Sequence, residues 1–287
     1  MKILLILFFL YPVLCMGQHP FINFETHNIG EVINTEYSEM YPMILSDGLT
    51  LFFSSNRPGG LGGLDIYVTT RKTRSEPWQK PVNLGTGINS KSSDHSVTVS
   101  EDGHWMIFFS SGDLYISYRN DTSNPTGWEE AQPLNEQINS SNTEACPLLH
   151  IEGDKQKLYF VSNRPNGIGK LDIYVSTMTD RNTFSKPVLL KEVSSPSGDY
   201  HFEPSSGLIW SDREGGKGKT DLWIATKRTG EFTWTKPINL GKNINTSYPE
   251  GMPSITHDQS LLIFHSNRPG GYGRSDIYYA KDVNSGN

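Results

Sequence analysis

The chain is poor in cysteine, in long apolar runs and in helical periodicity, and each shortage removes a class of structure. Of its 287 residues only Cys15 and Cys146 are cysteine. With the first 17 residues set aside only Cys146 is left, so no intrachain disulfide braces the fold. A chain of this length buries a sizeable core without one. Beyond the first residues no apolar run approaches the ~20 residues that a membrane-spanning helix needs. No segment repeats its apolar residues at helical spacing, which excludes helical solenoids. The net charge is −6 with both signs interspersed, and basic residues form neither a stripe nor an amphipathic helix. Nucleic acid and membrane surfaces are therefore not expected partners. HExxH and GxSxG are both missing, so neither a zinc-protease helix nor a serine-hydrolase elbow is expected. No cofactor and no metal are expected.

What the chain does have is one sentence written five times. Three copies are close: LFFSSNRPGGLGGLDIYVTTR from Leu51, LYFVSNRPNGIGKLDIYVST from Leu158 and LIFHSNRPGGYGRSDIYYA from Leu262. Two have drifted: LIWSDREGGKGKTDLWIATKR from Leu208 and the shortened MIFFSSGDLYISYR from Met106. The Asp that opens each D-[IL]-[YW] triplet fixes the register: Asp65, Asp113, Asp172, Asp221 and Asp276. Their intervals are 48, 59, 49 and 55 residues, the length of a four-stranded propeller blade with variable loops. A unit of this kind cannot bury its apolar faces alone, so copies must pack on one another.

Each unit reads strand, turn, strand, Gly-rich loop, strand, turn, strand. In the first, YPMIL from Tyr41 precedes the turn Ser46-Asp47-Gly48, where positive φ is cheap. LTLFFSS follows, then NRPGGLGG, which is too rich in Gly and Pro for strand or helix. LDIYVTT is the third strand. WQKPV from Trp78 is the fourth, its Pro suiting an outer edge. That fourth strand recurs at Trp128, Phe184 and Trp234, and appears once before the first full unit, as FETHNIGEVIN from Phe24. The chain thus opens on a fourth strand and finishes on a third. Residues near Phe21 to Thr26 are expected to complete the last blade. The expectation is an all-β, five-bladed propeller over residues 18–287, clasped by its N-terminal strand.

Residues 1–17, with Lys2 followed by about a dozen mostly apolar residues, read as a secretory signal peptide with cleavage before Gln18. A periplasmic or secreted protein is expected. Lipid attachment at Cys15 is the disfavoured alternative, because Leu14 is bulky for lipoprotein processing.

Two sets of repeat-equivalent residues are candidates for chemistry. Arg57, Arg164, Arg213 and Arg268 recur in the Gly-rich loop, as an anion nest or as partners for nearby carboxylates. Glu39, Asp94, Glu144, Asp199 and Glu250 precede the first strand, with Glu203 the alternative to Asp199. In a propeller these five would ring the mouth of the central channel as a cation or polar-ligand site. Packed so close, they would raise one another's pKa unless cations intervene. The bland reading is that the arginines neutralise them one for one. The second unit keeps Asp94 without an arginine, which makes it the place to look for a ligand. His95 and His201 fall near the same mouth but occupy unequal repeat positions, so no metal site is inferred from them. Trp78, Trp105, Trp128, Trp210, Trp223 and Trp234 read as packing residues, and Cys146 as a small buried hydrophobe.

The pattern E-x-x-P…S-x-D-G…L-x-F-x-S-N-R-P-G-G-x-G-x-x-D-I-Y resembles the WD-repeat-like β-propeller repeats of the TolB type. That resemblance implies an exported propeller serving as a binding or assembly module; with repeat-equivalent loops and no unique catalytic cluster, the expectation is a non-enzymatic, monomeric module of the bacterial cell envelope that binds an envelope protein or a glycan. The alternative is a five-bladed glycoside hydrolase or carbohydrate-binding protein using the mouth carboxylates. The observation that separates them is one mouth carboxylate standing apart from arginine, with a raised pKa, in a deep pocket.

Overall fold

The computed structural model describes residues 21–227 and 233–283. The expected signal peptide, its cleavage point and Cys15 lie outside the described residues. Within them every regular element is a β-strand, in five antiparallel sheets. From the axis outward, blade 1 runs Glu39–Ile44, Thr50–Ser55, Asp65–Thr70 and Val82–Asn83. Blade 2 runs Asp94–Val99, Trp105–Ser110, Asp113–Tyr118 and Gln132–Pro133. Blade 3 runs Glu144–Glu152, Lys155–Ser162, Asp172–Asp180 and Val188–Leu189, with a short extra strand at Thr183–Phe184. Blade 4 runs Asp199–Glu203, Leu208–Ser211, Asp221–Ile224 and Ile238–Asn239. Blade 5 runs Glu250–Ile255, Leu261–Ser266 and Asp276–Asp282. Its outermost strand is Phe24–Asn28, which pairs from Phe24↔Asp282 to Asn28↔Tyr278. The fold is therefore the five-bladed propeller that the repeats imply, closed by its N-terminal strand.

The outer strands are shorter than the WQKPV run suggests. In blade 1 only Val82 and Asn83 join the ladder. Pro81 has no N–H to give, and the Trp78 ring instead lies under the Arg71 guanidinium at 4.3 Å. Trp128 is held the same way by Arg119.

The core divides into five apolar clusters, one at each contact between adjacent blades. Phe52, Ile66, Val97 and Phe108 join blades 1 and 2. Ile107, Leu114, Leu158 and Phe160 join blades 2 and 3. Val161, Ile173, Ile209 and Trp223 join blades 3 and 4. Leu208, Leu222, Leu262 and Phe264 join blades 4 and 5, sealed by Phe21 and Phe24. Ile44, Phe53, Ile263 and Ile277 join blade 5 back to blade 1. An open stack of five blades has four such contacts, so the fifth is the physical mark of a closed ring.

Two local devices shape the mouth. The first is a β-bulge in every innermost strand, two residues on the inner strand opposing one on the next. In four blades the residue two after the ring acid takes positive φ: Tyr41, Ser96, Cys146 and Met252. Bulges re-aim side chains, and these four sit where the strand lines the axis. The second device is the glycine that ends each long loop. A Cβ on Gly62 would lie 1.9 Å from the Ser92 carbonyl, and one on Gly273 would lie 1.9 Å from the Tyr37 carbonyl. Only glycine lets the loop of one blade touch the lead-in of the next.

Phe24 is 5% exposed and belongs to the cluster between blades 4 and 5. Replacing it with alanine is expected to lower the unfolding free energy by about 3–5 kcal/mol. Truncation of residues 21–28 is expected to abolish the single cooperative transition, measured by urea unfolding.

Candidate functional site at the channel mouth

The fold brings the five acids together at one end of the axis. Glu39, Asp94, Glu144, Asp199 and Glu250 each open an innermost strand, and each is 0% exposed. The N–H of each donates to a carbonyl at the start of the preceding blade's third strand, at 2.7–3.2 Å. Each carboxylate then accepts the backbone N–H four residues earlier, from Thr35, Ser90, Ser140, Ser195 and Thr246. This explains the spacing seen in the sequence. The lead-in curls back onto the acid, and a buried carboxylate without such donors would be costly.

The arginines meet these acids inside the blade, not across the channel. Arg57 donates to Glu39 at 3.1 Å, to the Ser55 hydroxyl at 3.0 Å and to the Ile33 carbonyl at 2.6 Å. Arg164 makes the same three bonds with Glu144, Ser162 and Ile138. Arg268 makes them with Glu250, Ser266 and Ile244, and Arg213 with Asp199, Ser211 and Val193. Each guanidinium also lies against ring faces of its own blade, for Arg57 those of Phe53 and Tyr67 at 5.1 and 5.0 Å. Four acids are thus neutralised one for one. Asp94 has no arginine and is held by the Ser90 N–H at 2.6 Å and the Ser90 hydroxyl at 3.0 Å. Asp199, not Glu203, takes the blade 4 position. Glu203 lies at the far end of the same strand, where burial pushes its carboxyl up against the pull of two Ser205 hydrogen bonds. Burial likewise pushes the Glu250 carboxyl up.

With the carboxylates sealed, aromatic rings form the surface of the mouth. Tyr41 leaves blade 1 at its bulge and reaches across the axis. Its ring stacks on His95 of blade 2 at 4.4 Å and meets Trp210 of blade 4 at 6.3 Å and His265 of blade 5 at 5.3 Å. It also packs against the cluster that holds Cys146 of blade 3. His95 stacks in turn on Phe109 at 4.3 Å, and Trp210 on Tyr200 at 5.0 Å. Gly251 makes the room: a Cβ there would lie 2.7 Å from His265 and 2.9 Å from Trp210. Tyr41, His95, Phe109, Tyr200 and Trp210 all stay partly exposed. Together they make an aromatic floor one layer below the acid ring. Sequence reasoning treated Trp210 as packing and passed over Tyr41, Phe109 and Tyr200. Their shared signal is their place beside the acid position, at the bulge or on the strand paired with it.

The floor is kept uncharged. Burial holds His95 down to about 4 and His201 and His265 down to about 3. Burial pushes Tyr41 well above the usual phenol range and Cys146 up to about 12. Tyr200 rises to about 12, first through burial and then through Asp212, whose carboxylate accepts its hydroxyl at 3.2 Å. His265 Nδ1 accepts the Tyr41 N–H at 3.3 Å. Neither ring nitrogen of His201 has a partner. Among the described residues no group of three or more His, Cys, Asp or Glu is placed to hold a metal ion, and no helix is long and apolar enough to cross a membrane.

No family model and no curated protein matches the chain. Solved structures do match its fold. An α-L-arabinofuranosidase from Podospora anserina, crystallised with cellotriose, superposes with a TM-score of 0.58 at 11% identity, over 90% of this chain and 96% of that one. The catalytic domain of a GH62 α-L-arabinofuranosidase from Coprinopsis cinerea gives 0.59 at 10% identity, over 91% and 97%. An endo-arabinase from Bacteroides thetaiotaomicron gives 0.54 at 16% identity, over 84% and 93%. These are glycoside hydrolases, and they correct the TolB-type, WD-repeat-like resemblance and the non-enzymatic envelope module it implied. The physical reason is visible in the blades. The S-N-R-P-G-G and D-I-Y residues are spent on buried pairing and on loop closure in the long-loop blades, so the motif reports local construction.

Two outcomes test this account. Glu39→Ala strands the Arg57 guanidinium and is expected to cost about 3–5 kcal/mol. Asp94→Asn, with no arginine to strand, is expected to cost about 1 kcal/mol in the same chemical denaturation. The three buried histidines titrate below the unfolded value of about 6.5. Their stabilising contribution is complete above that pH and is lost as pH falls from there toward 4. Near pH 5 they are expected to contribute a slope of roughly 4 kcal/mol per pH unit, three protons' worth. His201→Leu is expected to lower that slope by about a third.

Proposed function

We propose that this protein recognises carbohydrate at the mouth of its central channel, through the aromatic floor. The observation that carries the reading is the set of partly exposed, mutually braced rings of Tyr41, His95, Phe109, Tyr200 and Trp210 on the axis. Apolar ring faces with a few fixed polar groups suit a flat molecule with hydroxyl edges and C–H faces. The Tyr200 hydroxyl, fixed by Asp212, is such a polar group. The chain's likeness in fold to glycoside hydrolases, one crystallised with cellotriose, supports the same ligand class.

The five ring carboxylates are not the contact surface in this reading. A hydrolytic pair must flank the glycosidic bond at about 5–5.5 Å or 6.5–9.5 Å, with both groups open to the sugar. All five acids are sealed under their own lead-in segments, and four are tied to arginine. Recognition through rings fits the mouth as it is built, and the expectation that the carboxylates do the binding gives way to it.

Calorimetric titration of the protein with cellotriose, xylotriose and arabino-oligosaccharides tests the reading. At least one is expected to bind, and Tyr200→Ala is expected to weaken it about tenfold with the thermal transition kept. No binding by any of them, or equal binding by the folded Tyr200→Ala protein, would overturn it.

A further inference from the structure

Blade 2 departs from its four siblings at one place. Nine residues separate the second and third strands of blades 1, 3, 4 and 5, whereas Ser111 and Gly112 alone separate those of blade 2. The missing stretch is the one that carries the arginine. Its receptor nevertheless remains. Asp94 stands where Glu39 stands, Ser110 where Ser55 stands and the Ile88 carbonyl where the Ile33 carbonyl stands. The ring pair that lies against the guanidinium is also kept. Phe108 and Tyr115 stack at 6.1 Å and 26°, against 5.9 Å and 20° for Phe53 and Tyr67 and 6.1 Å and 22° for Phe264 and Tyr278.

A second acid at the same rim has lost its partners. Asp65, Asp172, Asp221 and Asp276 are 1–2% exposed. Each accepts two backbone N–H groups from its long loop, for Asp65 those of Leu61 at 2.6 Å and Gly62 at 3.0 Å. Three of them also accept an outer-strand asparagine, from Asn83, Asn239 and Asn28. Asp113 has neither. Its loop is gone, and the outer-strand position opposite Tyr115 is Pro133, which carries no donor. Asp113 is partly exposed, and burial together with the nearby Glu144 pushes its carboxyl up. In a complete blade the inner acid is met by an arginine and the triplet acid by N–H groups of the long loop. In blade 2 the arginine and the long loop are both missing.

We propose that the upper rim of blade 2 is a subsite for a compact organic cation, held by Asp113 and the Tyr115 ring face with Asp94 as the buried countercharge below. The four sibling blades show what the equivalents of Asp94, Ser110 and the ring pair hold: a planar cation, bonded to carboxylate and hydroxyl and laid on aromatic carbon. Asp94 is sealed and Ser110 nearly so, and the cation therefore meets Asp113 and Tyr115 first. On the glycan reading above, on which this part of the inference rests, the cation is the ammonium of an amino sugar whose neighbouring residue lies on the aromatic floor. His95, on the residue next to Asp94, stacks on Phe109, and the two link that floor to blade 2.

The test uses the whole chain and two probes. Amide spectra are recorded during titration with N-methylguanidinium chloride, against sodium chloride at equal ionic strength. Saturable shifts are expected at residues 88–96 and 110–116, and Asp113→Asn is expected to weaken them about tenfold. Asp154→Asn, on a turn at the opposite face, is expected to leave them unchanged. Because Asp113 has no hydrogen bond to lose, Asp113→Asn is also expected to keep or raise the thermal transition. Shifts equal in wild type and Asp113→Asn, or spread evenly over all five blades, would overturn the subsite. The second probe is a glucosamine oligomer against its N-acetylated counterpart, with preference for the free amine expected and expected to vanish in Asp113→Asn. Cation binding without any sugar binding would leave the subsite standing and remove the glycan reading. Neutral sugar binding without cation binding would do the reverse.

Discussion

The mouth of this propeller depends on a buried knot of one guanidinium, one carboxylate, one serine hydroxyl and one backbone carbonyl. Burying a carboxylate is expensive unless its charge and its lone pairs are both met. Here they are met from two directions, the lead-in segment giving an N–H and the loop giving an arginine. The knot therefore couples three parts of a blade that are distant in sequence. It also couples blades, because the N–H of the same acid closes on the blade before it. Net gain in stability from such a pair is modest, but the cost of half a pair is large, so the knot specifies where each loop must lie more than it adds to the depth of the fold.

The axis is filled on a different principle. Instead of ions it carries rings kept neutral by burial. Tyr41 spans the channel because the bulge at its own position turns it inward and because Gly251 clears the far side. The plug ties blades 1, 2, 4 and 5 together by ring contacts. It is also what the solvent sees at the mouth, so stability and recognition draw on the same side chains. His201 holds the position of Tyr41 in blade 4 and is buried, with neither ring nitrogen hydrogen-bonded.

The architecture was legible in the sequence because the repeat unit is a complete statement of one blade. Strand alternation, the Asp-Gly turn and the Gly-rich loop each recur, and the stray outer strand at Phe24 could only close a ring. The ring of acids was legible for the same reason. The aromatic floor was not, because its positions recur in every blade but carry aromatic residues in only some of them. The bulge position reads Tyr41, Ser96, Cys146, His201 and Met252, five different residues with no common chemistry. A side chain aimed by a bulge leaves no periodic trace. Nor did spacing reveal that Arg and acid bond within one blade, since that follows from the loop folding back through glycine onto the next lead-in.

A ring of five like units offers every off-axis contact five times, so an asymmetric ligand finds no unique place on it. A specific off-axis site forms where the copies differ, and four of the differences here lie at the mouth. Blade 1 supplies the tyrosine that crosses the axis. Blade 2 lacks a loop and keeps two acids without an arginine. Blade 4 has Asp212 where the other three long-loop blades have asparagine, and that carboxylate fixes the Tyr200 hydroxyl. Blade 5 has Gly251 where a side chain would crowd Trp210. Each departure gives up something the other copies use: an ion pair, a neutral amide or a packed side chain. All four face the same mouth. Blade 3 also departs from its siblings at the far face, through the extra strand Thr183–Phe184, but the four departures at the mouth stand close enough together for one binding site built on a repeat.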